Sequence, residues 1–289
     1  MLRVLALTAA LLIHADTGQA RQYPPPDSVG DAYDIRLSHI TESATDDGAS
    51  SSSSRSGGQL IERVVAVQDQ GVELEFDLPT DATDEERARD WQWPAKVMKS
   101  PDGSLRLLNA RDVEARIDAW LALGGMTREA CGHWVFTWNA FKIECDPQSV
   151  IDTLGPYDLR LGPLRDGASY AEPGSAGPTT LHLASTGPEG STFVAETAVD
   201  PDSVRRERAE ADVIVADISG EPTTLEAALE ARAAEQVEGA IHTTIVTDGA
   251  GRVIERTTVT RLAITDAEGV IDRRTSTRTV ERRWLDPAG

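Results

Sequence analysis

Between Ala240 and Trp284 the chain carries three long runs rich in β-branched residues, separated only by Asp248-Gly249-Ala250-Gly251 and Asp266-Ala267-Glu268-Gly269. Turns this short join neighbouring antiparallel strands, because a parallel neighbour needs a crossover of a dozen residues or more. Residues 240–247, 252–264 and 270–284 therefore predict a meander of long strands. In the last run Arg274, Arg278 and Arg282 share a side with Val270, Val280 and Trp284. A strand with that side cannot be buried on both faces, which assigns it to the outer wall or edge of a broad, curved antiparallel sheet.

More strands precede the meander. Tyr33-Asp34-Ile35-Arg36-Leu37 alternates apolar and polar residues, with His39 at its end as a partly exposed strand histidine. Leu60–Gln68, the turn Asp69-Gln70-Gly71 and the alternating Val72, Leu74, Phe76 and Leu78 read as a hairpin. Its other face carries Glu73, Glu75 and Asp77, the wet side of a strand; acid–base catalysis would need carboxylates in contrasting environments. Thr180–Ser185 and Ser191–Val199 are further strands, and Arg206–Ser219 contains another, centred on Val213-Ile214-Val215. The turn Asp200-Pro201-Asp202-Ser203 initiates that last one, and His242 sits on a later strand beside Thr244 and Val246. The serine-glycine tract Ala49–Gly58 has no side chains with which to bury a core and reads as a mobile loop.

Helical signals are fewer. Thr83-Asp84-Glu85-Glu86 is a helix start with acids in the first turn. Asp112–Leu123 places Val113, Ile117, Trp120 and Leu121 on one face and stops at Gly124-Gly125. Pro147–Leu154 is a short helix, and Thr223–Glu235 is an alanine-rich one opened by a Thr223/Glu226 capping box. The fold class is thus α+β and β-dominated: a half-barrel-like sheet of long meander strands with a few helices packed on it. The chain divides into 1–20, an extended Pro-rich leader 21–32, a mixed region 33–168 with a helical insertion 84–165, a linker 169–178 and a β-rich region 179–289. The last can continue the sheet of 33–78.

Cys131 and Cys145 are the chain's two cysteines and predict a disulfide. Closing a loop of that size stabilises by roughly 3 kcal/mol in the chain-entropy treatment. Around it cluster Trp91, Trp93, Trp120, Trp134 and Trp138, with Phe136 between the last two. Large rings fill a thin core or stack on sugars, peptides or acyl chains. Trp91, Trp93, Trp134, Phe136 and Trp138 are the candidate ligand-binding residues.

Arg3, the apolar run Val4–Ile13 and Gly18-Gln19-Ala20 have the order of a secretory signal, with cleavage near Ala20 and a periplasmic or secreted product beginning at Arg21. The run is too short to span a bilayer, and no cysteine follows it to carry a lipid anchor. A net charge of −20 repels phosphate backbones and argues against nucleic acid as a partner. Zinc, calcium, phosphate-loop, dinucleotide and serine-hydrolase signatures are missing, so neither a cofactor nor a catalytic set is predicted.

In outline, a broad antiparallel sheet with helices on its concave side resembles the half-barrels of periplasmic lipoprotein carriers of the LolA and LolB class, an analogy of fold alone. It implies a non-catalytic envelope protein that binds an apolar or polymeric ligand (lipid or glycan) or an envelope protein partner. A hydrolase of an envelope polymer with paired carboxylates, or a purely structural interaction module, are the alternatives.

Overall fold

The computed structural model describes residues 26–136 and 140–285. Residues 1–20, read above as a secretory signal, the first residues of the expected leader and Trp138 lie outside them.

The chain opens with three antiparallel strands, β1 (Ala32–Thr45), β2 (Ser51–Gln68) and β3 (Gly71–Asp77). The short helix α1 (Asp84–Arg89) follows, then β4 (Ala95–Lys99) and β5 (Leu105–Leu107). Next come α2 (Ala110–Leu123), a small hairpin of β6 (Trp134–Phe136) and β7 (Ala140–Lys142), and α3 (Ser149–Leu154). The two-residue strands β8 (Ser169–Tyr170) and β9 (Thr179–Thr180) lead into β10 (His182–Gly187) and β11 (Gly190–Ala198). Helices α4 (Pro201–Ser219) and α5 (Leu225–Arg232) precede the meander β12 (Gln236–Thr247), β13 (Val253–Thr265) and β14 (Ile271–Trp284).

Ten of these strands form one open antiparallel sheet in the order β10-β11-β12-β13-β14-β1-β2-β3-β4-β5. The long meander strands are as expected. The position of β14 is not: it lies in the middle of the sheet, paired with β13 and β1, and the edges are β10 and β5. Its Arg274, Arg278 and Arg282 share the covered face with Val280; Arg282 is tolerated there because it meets a carboxylate, Glu62 Oε1, 3.1 Å from its Nη2, Arg274 because it pairs with Asp272, and Arg278 because it is exposed. The strands of both chain halves belong to this sheet, and 84–165 contributes β4 and β5 to it.

Strand register puts Ile35, Leu60, Val64, Leu74, Phe76, Val97 and Val280 on the covered face. Val113, Ile117 and Leu121 of α2 and Val150 and Leu154 of α3 pack against them in one core. Helix α1 starts where its sequence indicates, and a capping box holds it, Thr83 accepting from Glu86 N–H and Glu86 from Thr83 N–H. Cys131 and Cys145 are joined by a disulfide.

Two segments differ from the sequence expectation. The serine-glycine tract is the β1–β2 hairpin: Ser52, Ser54 and Ser56 lie opposite Ser43, Thr41 and His39. Backbone ladder bonds, which need no apolar side chain, hold it. The two glycines at its inner end are enforced by neighbours, since a Cβ on Gly58 would collide with the Tyr157 hydroxyl and one on Gly57 would lie 2.6 Å from the Leu37 carbonyl oxygen.

The second is 201–219, a helix and not a strand. Asp200 caps it by accepting from Asp202 N–H, Pro201 takes the first helical position, and Gly220 ends it with positive φ. Three β-branched residues at Val213–Val215 do not outweigh the Arg-, Glu- and Ala-rich turns before them. The turn at Asp200–Ser203 is thus the start of α4. Helix α5 is capped one residue later than expected, by Thr224 accepting from Ala227 N–H.

Candidate ligand-binding site

The covered face changes character along its central strands. Near one end β1 and β14 present Tyr33, Ile35 and Val280, all buried. Toward the other end the same face becomes polar. One row across β2, β1, β14 and β13 reads Ser56, His39, Arg278 and Thr258; the next reads Ser54, Thr41, Ser276 and Thr260. A third begins Ser52, Ser43 and Arg274 and ends at Leu262. With neighbouring strands about 4.8 Å apart, the platform is roughly 14 Å wide.

Helix α4 stands over one side of it, leaving a groove of about 480 Å³. Ser203, Glu207, Arg208 and Ala211 form the helical wall, and Glu172, Pro173 and Gly174 the wall opposite. The helix is held by apolar contact of Val204 with Val199, Val237, Ile241 and Ile264. Polar ties reinforce it: Arg205 donates to the Glu235 carbonyl oxygen at 3.0 Å, and Arg208 makes two 3.1 Å bonds to the Glu235 carboxylate. Arg208 also faces Asp272, which receives Arg274 at 2.7 Å.

Within the groove His39 Nε2 lies 2.7 Å from Ser276 Oγ and 3.3 Å from Thr41 Oγ1. Burial, and then the charge of Arg278, hold the His39 pKa below the ordinary histidine value. Beyond the backbone ladder, no ion pair or hydrogen bond joins the Arg278 side chain to another described residue. It is a cation with free donors among hydroxyls, on the face that elsewhere carries the core. Such a surface offers hydrogen bonds in both senses plus the positive charge of Arg278, with the carboxylates of Glu172 and Glu207 on the walls. That suits a ligand with hydroxyl or amide groups and an acidic substituent.

The tryptophans are placed otherwise. Trp91 and Trp93 are buried in the main core at 4% and 8% exposure, so their rings fill the interior and present no surface. Trp120 is half-buried and packs on Trp91, ring centroids 6.5 Å apart. Trp134 is half-buried on β6, which runs close to α4, and Phe136 ends that strand. Trp284, outside the candidate set, is the tryptophan with an exposed ring among the described residues. Glu75 and Asp77 pair with cations on the open face: Glu75 with Arg63 and Lys96, each at 3.7 Å, and Asp77 with Arg87 at 3.0 Å. His242 is half-buried on the open face of β12, opposite Val259.

The platform residues were missed in the sequence, yet they carry a signal: His39-x-Thr41-x-Ser43, Thr258-x-Thr260 and Arg274-x-Ser276-x-Arg278 repeat polar groups with the period of a strand face. That three such runs align in one row is a matter of register.

No protein-family model and no curated protein matches the chain. Among solved structures, an outer membrane channel from Pseudomonas putida F1 is similar at 6% identity, over 92% of this chain and 98% of that one, with a TM-score of 0.22. That value is below the level of a shared fold. No helix of the described residues is long and apolar enough to cross a membrane.

Proposed function

We propose that this chain is a non-catalytic binding protein of the bacterial cell envelope, exported by its N-terminal segment, and that it holds an envelope polymer bearing hydroxyl and carboxylate groups on the platform beside α4. The observation that carries the reading is the alignment of Ser56, His39, Arg278 and Thr258 with Ser54, Thr41, Ser276 and Thr260 across four strands. Polar side chains on the covered face need partners; helix α4 provides few and leaves a groove in their place. A polymer crossing the strands would meet a hydroxyl or a basic side chain at every strand. Its acidic group would be taken by Arg278, whose guanidinium can donate to a carboxylate in bidentate fashion. The disulfide suits an oxidising compartment.

Purified peptidoglycan sacculi, a polymer with both groups, provide the test. The protein should co-sediment with sacculi, Arg278→Ala should weaken the association about tenfold, and Ser276→Val with Thr260→Val should weaken it further. Protein that stays in the supernatant, or variants that pellet as well as the parent, would overturn the reading.

A further inference from the structure

At the opposite end of the same strands lies a second opening, a cleft of about 420 Å³, within the ~300–1,000 Å³ range of small-molecule sites. Three turns meet at its mouth: Gly71 after β2, Ser100–Gly103 after β4 and Gly251 before β13. Val72, Leu159, Leu161, Leu164 and Val253 give it apolar walls. Lys99, Arg160, Arg252 and Arg282 also line it, with Asp27 and Asp102.

The four cations have carboxylate neighbours: Lys99 has Asp158, Arg160 has Asp27 and Glu62, Arg252 has Asp248, and Arg282 has Glu62. Counter-charge is therefore present, but acceptors are short. Glu62 Oε1 faces two guanidiniums, at 3.1 Å from Arg282 Nη2 and 2.8 Å from Arg160 Nη2. The second contact is out of line for a hydrogen bond, and Arg160 Nε and Arg282 Nε are also without an acceptor. The Arg282 side chain is only 6% exposed. Buried donors of this kind are satisfied in native proteins by protein, water or a bound group.

The opening continues toward the exposed ring of Trp284. A smaller pocket of about 100 Å³ shares Arg252, Arg282 and Val253 with the cleft and is bounded by Tyr33 and Trp284. The Arg252 guanidinium carbon sits 5.8 Å above the Trp284 ring, and that of Arg282 3.5 Å above Tyr33.

We infer that this cleft is a second binding site, for an amphiphile with an apolar chain and an oxygen-acceptor head. The chain lies along Leu159, Leu161, Leu164 and Val253. The head accepts from Arg252, whose side chain is the most exposed of the four cations. A medium-chain carboxylate has both parts.

Dodecanoate below its micellar concentration is the probe, followed by titration calorimetry on the full chain. One molecule should bind. Methyl dodecanoate, whose head still accepts, should compete with it, and dodecyltrimethylammonium, whose head accepts nothing, should not. Arg252→Ala should weaken binding about ten- to a hundredfold, as loss of a charge-assisted bond does, and Leu161→Asp should abolish it. The Arg252 side chain is 30% exposed, so its truncation leaves the fold in place, and thermal unfolding checks both variants. Absence of dodecanoate binding, equal competition by the ammonium amphiphile, or unchanged affinity in folded Arg252→Ala would overturn the assignment. Binding of sacculi is read separately, so either site can fail alone.

Discussion

Glu62 on β2 and Arg282 on β14 reach across β1 to each other, 3.1 Å from Oε1 to Nη2, although 220 residues separate them in the chain. The guanidinium lies over the Tyr33 ring of the strand between them. Burial lowers the Arg282 pKa, and the Glu62 charge pulls it back up. The pair ties the last strand of the chain to the second, next to the first.

Breaking that pair from one side should be costly. Glu62→Leu leaves Arg282 buried without a counter-charge, and a loss of about 3–5 kcal/mol is expected in chemical denaturation. Replacing both partners, Glu62→Leu with Arg282→Met, should cost less than Glu62→Leu alone, because no orphaned charge remains at Arg282. A double variant weaker than the single one would show that the pair is not the main contribution.

Gly58 should resist even the smallest side chain. The space of a Cβ is taken by the Tyr157 hydroxyl, and Tyr157 is itself packed in the core. Gly58→Ala is expected to destabilise by about 1–3 kcal/mol through overpacking. Gly58→Ala combined with Tyr157→Phe, which removes the colliding hydroxyl, should recover part of the loss; denaturation midpoints compare the two.

His39 makes stability depend on pH. Its folded pKa is lowered, by burial first and by Arg278 second, so the unfolded chain binds the proton more tightly. Its contribution is complete above the unfolded value of about 6.5 and is lost as pH falls through that value to the folded one. Arg278→Ala should raise the His39 pKa, as followed by proton NMR of the imidazole, and His39→Gln should flatten the stability profile in this window. An imidazole that titrates identically in Arg278→Ala would rule out the coupling.

The disulfide closes a loop with a sequence separation of 14. Cys131→Ala with Cys145→Ala should lower stability by roughly 2–4 kcal/mol. Hydrogen exchange should report the loss first in the β6–β7 hairpin that the bridge encloses. Uniform loss of protection over the whole sheet would instead mean that the bridge supports the global fold.

Much of this architecture could be read directly from the chain. Alternation in Val72–Leu78 and the two Asp-x-x-Gly turns specify strands and their antiparallel neighbours, because side-chain period and turn length are local properties. The acidic helix start at Thr83, the apolar stripe of α2 and the cysteine pair are local in the same sense. The serine tract and α4 misled for opposite reasons. Ser52–Ser56 is held by backbone pairing with β1, to which side-chain hydrophobicity contributes nothing. In α4, capping at Asp200 and Gly220 outweighs a three-residue β-branched run.

The sequence by itself determined the meander and the Leu60–Leu78 hairpin, most helices, the disulfide and the acidity. Tertiary structure alone decided that β14 pairs with β1 in the middle of the sheet, and so which face every one of its residues takes. That single pairing buries Arg282 against Glu62 and lines up Ser276 with Thr41 and Arg278 with His39. Strand order and register are set by which long-range contacts bury the most apolar surface while leaving charges paired, and no local stretch of residues carries that sum.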